Sequence, residues 1–280
     1  MSAVAEKRRA FRALHESGCF VIPNPWDVGS ARYLGSLGFK ALATSSAAAA
    51  WAAGYADEAL PLDPMLDHIR SIVAASDLPV NADFGNGLAA SAVGVAENVR
   101  RCVETGVAGL SIEDSTGDKQ APLFDLAAAV ERVAAARAAI DAAGGDTLLV
   151  ARSECFLTGH PDTLAEAIRR LTAFADVGAD CLYAPGVRTR EDIAEIVRAV
   201  APKPVNVLAV GAASLPVQEL AALGVRRISV GGLLARMAWT GFMKAAREIA
   251  EAGTFGTFAE AVPGSELNGL FAIPPDGGAP

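Results

Sequence analysis

Short apolar runs, many of them β-branched, recur along the chain; each ends in small or polar residues and is followed by an alanine-rich amphipathic stretch. A run of that kind suits a strand buried on both faces, and the stretch behind it suits a helix hiding one stripe. The spacing predicts strands over 19–24, 41–45, 79–84, 109–114, 147–153, 181–185, 204–209 and 227–231. Helices are predicted near 27–37, 63–76, 91–105, 125–142, 161–177, 189–200, 214–222 and 233–252. Gly38, Gly106, Gly178 and Gly224 stand where four helices must stop, the place for a left-handed residue. Asp125, Thr189 and Ser214 stand at helix starts, where a side-chain oxygen accepts a free N–H.

Eight consecutive βα units predict an α/β protein built as a closed (β/α)8 barrel of the TIM type. An open doubly wound sheet would carry a glycine-rich dinucleotide turn after its first strand, where Asn24-Pro25-Trp26-Asp27 stands instead. No Pro/Gly/Ser linker interrupts the series, so one domain is expected over 1–252. Beyond it lies a tail, 253–280. Phe255, Phe258, Leu267, Leu270 and Phe271 there need burial, worth about 25 cal/mol per Å² of apolar area. Docking on a partner subunit is expected for 233–271, and the stretch from Pro274 to Gly278 reads as frayed.

Composition narrows the class. At 280 residues and 52% hydrophobic, the chain can build one large core and is not disordered. A formal charge of -8 argues against a nucleic-acid partner but leaves small anions open, since a few buried arginines outweigh an average field. The first 18 residues lack an apolar segment, and no run of 18 apolar residues exists, so neither export nor a membrane partner is expected. Four cysteines without a CxxC pair fit a reduced cytoplasmic setting.

In a parallel barrel the chemistry gathers where the strands end. Those ends supply Asp83, Glu113, Asp114 and Glu154, expected to share one cup. Crowded carboxylates repel unless a cation or proton sits among them, and hard oxygens without histidine or thiolate suit Mg²⁺ or Mn²⁺. Some of them can instead pair with an arginine or cap the next helix. Arg152, nearly alone as a strand-end cation, can clamp a substrate carboxylate, pair with Glu113 or Glu154, or do both. Thr44-Ser45-Ser46 offers hydroxyls and backbone amides for an anion, and Asp57 lies on a loop within reach of the cup. None of the five lysines falls late on an inner strand, which disfavours Schiff-base chemistry, and no histidine neighbours a serine nucleophile.

Seven segments in order resemble the isocitrate lyase/phosphoenolpyruvate mutase superfamily over about 20–234. They are Asn24-Pro25-Trp26-Asp27, Ala43-Thr44-Ser45-Ser46, Gly54-Tyr55-Ala56-Asp57, Asn81-Ala82-Asp83, Ser111-Ile112-Glu113-Asp114, Ala151-Arg152-Ser153-Glu154 and Lys203-Pro204-Val205-Asn206. The resemblance implies a Mg²⁺-dependent (or Mn²⁺-dependent) lyase acting on small 2-oxo or 2-hydroxy carboxylates through an enolate. By the same resemblance Asp83, Glu113 and Asn81 hold the metal. Asp57, Arg152 and Glu113 carry the catalysis, and Trp26, Thr44, Ser45, Ser46, Arg152 and Asn206 bind substrate. Family members also exchange the eighth helix, which implies a homotetramer built from swapped dimers.

The departures matter equally. Family lyases place a cysteine in a Lys-Arg/Lys-Cys-Gly-His loop after strand four; here the stretch runs from Ser115 to Pro122 without one. Pro185-Gly186 replaces a lyase glutamate, and Asn81 replaces an aspartate common at the metal site. The leading expectation is an oxaloacetate decarboxylase-like C–C lyase. The alternatives are a phosphonopyruvate or carboxyphosphonate C–P enzyme, a non-catalytic keto-acid binder, and a phosphate-binding barrel using Gly231-Gly232.

Overall fold

The structure is a computed structural model that describes residues 2–272. The chain opens with α1 (Ala3–Leu14), then β1 (Phe20–Ile22), α2 (Val28–Ser36), β2 (Leu42–Ala43), α3 (Ser46–Ala52) and α4 (Leu62–Ala75). It continues with β3 (Val80–Asp83), α5 (Ala92–Val103), β4 (Gly109–Glu113), α6 (Leu126–Ala142), β5 (Leu148–Arg152), α7 (Cys155–Thr158) and α8 (Thr163–Asp176). The last units are β6 (Cys181–Tyr183), α9 (Arg190–Ala199), β7 (Val205–Leu208), α10 (Val217–Ala222), β8 (Arg227–Ser229) and α11 (Leu233–Ala252). A 3₁₀ turn (Gly256–Glu260) and α12 (Gly264–Phe271) follow.

All eight strands run parallel in the order β1-β8-β7-β6-β5-β4-β3-β2. The remaining seam between β1 and β2 is bridged by Ala43 N–H donating to Pro23 O at 3.0 Å, and Asn24 Nδ2 adds a bond to Thr44 O at 2.8 Å. This is the (β/α)8 barrel that the alternation predicts. One apolar cluster fills the layer between strands and helices, with Ile112, Leu149 and Phe174 fully buried in it. A second fills the lower barrel around Phe11, Ile22, Leu148 and Val150.

Several boundaries differ from the sequence reading. The strands are two to five residues long, shorter than the apolar runs, because only the stretch within the ladder pairs. Asp125 and Thr189 cap their helices as expected, whereas Ser214 does not: α10 starts at Val217 behind Pro216, whose fixed φ begins the turn. Gly38, Gly106, Gly178 and Gly224 all adopt positive φ. The second unit carries two helices, since Pro61 separates α3 from α4.

The first 18 residues, read only as lacking an export signal, form α1 and close the barrel bottom. Phe11 drops into the lower core, fully buried. Lys7 Nζ donates to Ser76 O at 2.6 Å and Arg8 Nη2 to Val103 O at 3.1 Å, so two cations cap the C-terminal ends of α4 and α5. Arg12 pairs with Asp180 at 2.9 Å. The Pro274–Gly278 stretch lies outside the described residues. Among those described, no helix is long and apolar enough to cross a membrane.

Candidate active site

Alternation along the strands decides which residues meet. Asp83 ends β3, Glu113 ends β4, Arg152 ends β5, and Glu154 follows two residues later, so their side chains share the inner face. They line one cavity of about 890 Å³ at the C-terminal mouth, with Asn24, Thr44, Ser45, Ser46, Asp57, Asn81, Tyr183 and Ser229. The β3–α5 loop enters through Gly85 at φ +52, where a Cβ would meet nothing, so Gly85 serves the left-handed turn. Its carbonyl accepts Glu113 N–H at 3.0 Å. Arg132 anchors the same loop, donating to Asn86 O at 2.7 Å and Ala89 O at 2.8 Å.

Arg152 is the hub. Nη1 lies 2.9 Å from Asp83 Oδ1 and 3.1 Å from Glu113 Oε2, and Nη2 lies 2.9 Å from Glu154 Oε1. Its guanidinium stands 5.0 Å from the Tyr183 ring centroid. Burial works against its charge, yet Glu113, Glu154 and Asp83 outweigh burial and hold the pKa well above the ordinary arginine value. Burial pushes Glu113 well above the usual carboxylate range; Arg152 opposes the shift, and Glu154 and Asp83 add to it. Glu154 is raised for the same first reason. Burial also takes the Tyr183 phenol up to about 12. Asp57 sits on the rim, its carboxyl raised chiefly by partial burial.

The other expected site residues separate into three groups. Ser46 meets Asp83 Oδ2 through both N and Oγ at 3.0 Å, and Thr44 Oγ1 accepts Asp83 N–H at 2.9 Å. The anion now on that segment is therefore Asp83 itself, while Ser45 Oγ caps α3 through Ala48 N–H at 3.3 Å. Asn206 is fully buried below the cavity, where Nδ2 donates to Ser229 Oγ at 3.0 Å. Trp26 lines a separate shallow groove with His68 and Ala53, outside the cup. Asp114 corrects the expectation of a four-carboxylate cup. It follows Glu113 directly, so alternation turns it outward, where it accepts Glu154 N–H at 2.8 Å and Arg170 Nη1 at 3.0 Å.

Val230 and Gly231 N–H both donate to Asn24 Oδ1, at 3.1 and 2.9 Å, so the Gly231 amide that a phosphate site after β8 would use is already engaged. The residue that sequence reasoning passed over is Arg227, which lines the cavity floor; it lies two positions before Ser229 on β8, and that spacing is the signal that places it inside.

Among the described residues no three acid, histidine or cysteine side chains converge as a ready metal cage. The donor chemistry still suits a hard dication, which takes one or two carboxylates and completes its shell with water and substrate. Asp83, Glu113 and Glu154 bring three carboxylates to a single guanidinium and so supply hard oxygen donors of that kind.

A phosphoenolpyruvate phosphomutase family profile matches residues 11–250. A crystal structure of a protein from Burkholderia cenocepacia J2315, provisionally described as a lyase/mutase, is 48% identical with a TM-score of 0.91 and covers 97% of this chain and 98% of that one. An oxaloacetate acetylhydrolase in complex with its product oxalate superposes with a TM-score of 0.83 at 28% identity, covering 96% and 93%. An oxaloacetate decarboxylase of Rhodopseudomonas palustris strain BisA53 is 33% identical over 205 residues, 69% of this chain and 68% of that protein. The barrel, the strand-end acids around Arg152 and these similarities together place the chain in the phosphoenolpyruvate phosphomutase family, within the isocitrate lyase/phosphoenolpyruvate mutase superfamily of lyases and mutases.

Proposed function

We propose that this enzyme is a divalent-metal-assisted C–C lyase or decarboxylase of small 2-oxo or 2-hydroxy carboxylates, with oxaloacetate-like acids as its substrates. The observation that carries the reading is Arg152, a planar carboxylate-binding fork held at the cavity mouth by Asp83, Glu113 and Glu154. Its relatives include an oxaloacetate decarboxylase and an oxaloacetate acetylhydrolase, which supports the same substrate class.

In this reading Arg152 releases part of its carboxylate contacts and binds the substrate carboxylate bidentately. Ser45 and Ser46 orient the same end of the substrate from the start of α3. Breaking the C3–C4 bond of a 2-oxo dicarboxylate expels carbon dioxide and leaves the electron pair delocalised into the 2-oxo group as an enolate. Asp83 and Glu113 would hold a hard dication, which would supply electrostatic stabilisation of that oxygen. Asn81, whose amide oxygen accepts Arg227, contributes no charge there. Asp57, which lines the cavity and whose carboxyl is raised chiefly by burial, would pass a proton to the carbon product.

The test is a turnover screen of the whole chain over 2-oxo acids, 2-hydroxy diacids and phosphonates with Mg²⁺ present. Turnover of an oxaloacetate-like acid is the expected outcome. Turnover of phosphonopyruvate alone would overturn the reading in favour of C–P chemistry.

A further inference from the structure

Arg227 is 3% exposed and sits below the carboxylate cup, on the inner face of β8. Nε donates to Asn206 Oδ1 at 3.0 Å and Nη1 to Asn81 Oδ1 at 3.3 Å. Both acceptors are neutral amides. Among the described residues no carboxylate lies within ion-pair distance of this guanidinium, although it lines the same cavity as Arg152. Burial lowers its pKa; Cys181, Tyr183 and Asp83 oppose that shift, and the like charge of Arg152 adds to it. A buried guanidinium whose direct partners are amides, with no carboxylate in contact, is costly to hold and gains from an anion brought against it. The supports are specific: Asn206 is itself oriented by Ser229, and Asn81 by its donation to Ala82 O at 3.0 Å. An aspartate at position 81 would pair with Arg227 and cancel its charge, whereas asparagine holds the fork and leaves the charge available.

We propose that Arg227 is an anion subsite at the cavity floor, receiving the second carboxylate of a dicarboxylate whose first carboxylate lies on Arg152. The subsite rests on the reading of this cavity as the substrate site, and it narrows the substrate class to dianions. Asn81 and Asn206 are then positioning residues that aim the guanidinium.

The test compares malate with 2-hydroxybutyrate, which differ by a carboxylate in place of a methyl group, after each is checked for turnover so that calorimetry reads binding alone. Their affinities for the whole chain are measured calorimetrically, in Mg²⁺ and again in EDTA. The wild type should bind malate at least about tenfold more tightly, the scale of a charge-assisted bidentate contact. Arg227→Gln removes the charge while retaining an amide donor, and Asn81→Asp leaves the arginine in place but pairs it. Both variants, once melting curves show them folded, should bring the ratio to within about twofold, with 2-hydroxybutyrate binding little changed. An undiminished malate preference in either folded variant, or none in the wild type, overturns the subsite. Oxaloacetate decarboxylation is scored separately. An Arg227-dependent malate preference without turnover keeps the subsite and rejects the lyase reading; turnover without that preference does the reverse.

Discussion

Arg152 makes ion pairs to three acids from three strand ends, so its position is over-determined before substrate arrives. Arg152→Lys keeps the charge but loses the planar fork, and steady-state kinetics should show kcat/KM down by about 1–3 kcal/mol of transition-state binding. Unchanged kcat and KM would mean that the arginine only neutralises its neighbours. Because burial raises Glu113, protonation breaks its pairing with Arg152 at a pH above the usual carboxylate range. The acid limb of kcat/KM should therefore lie above about pH 4.3, the ordinary glutamate value, and Glu113→Gln should shift it, leaving Glu154, raised by the same burial, to set what remains. Asp83, Glu113 and Arg152 were legible in the sequence because strand ends face the barrel mouth. Asp114 does not join them, because adjacent strand residues face opposite ways, and the same alternation puts Arg227, two residues before Ser229, on the inner face.

At the scale of elements, the βα alternation was readable because helix and strand periods differ and glycines mark the stops. Helix α1 was not, since its anchoring cations Lys7 and Arg8 resemble any solvated face until their acceptors at and just beyond the ends of α4 and α5 are known. Its C-cap, His15, lies edge-on between Phe11 and Phe20 with Nδ1 2.8 Å from Phe11 O and Nε2 unpartnered. Burial lowers its pKa to about 3 from the ordinary 6.5, and the nearby Arg227 charge assists. The unfolded chain then binds more protons between those values, so this contribution to stability is complete above about pH 6.5 and is lost as pH falls. Urea melts between pH 4 and 7 should show wild-type stability falling with acid more steeply than that of His15→Leu. Parallel pH profiles for the two would show that the ring is not kept neutral by the fold.

At the scale of the whole molecule, α11 buries only Ala235, leaving Met237 67% and Phe242 61% exposed. The 3₁₀ turn folds back on it through Lys244 and Glu260, while Phe271 reaches the start of α2 at Gly29. So large an apolar stripe is unusual for a lone subunit and fits the expected exchange of α11 within a tetramer of swapped dimers. Light scattering at micromolar concentration should give a mass near four times 28.7 kDa; a mass near 28.7 kDa would contradict that assembly. Metal-assisted chemistry in the cup is read by following pyruvate and carbon dioxide released from oxaloacetate, over the enzyme-free rate at the same Mg²⁺ concentration. The account predicts release with Mg²⁺, loss in EDTA, recovery on adding Mg²⁺ back, and no metal-dependent release from folded Asp83→Ala. Release that is indifferent to EDTA and to the loss of Asp83, or no release under any condition, would contradict it.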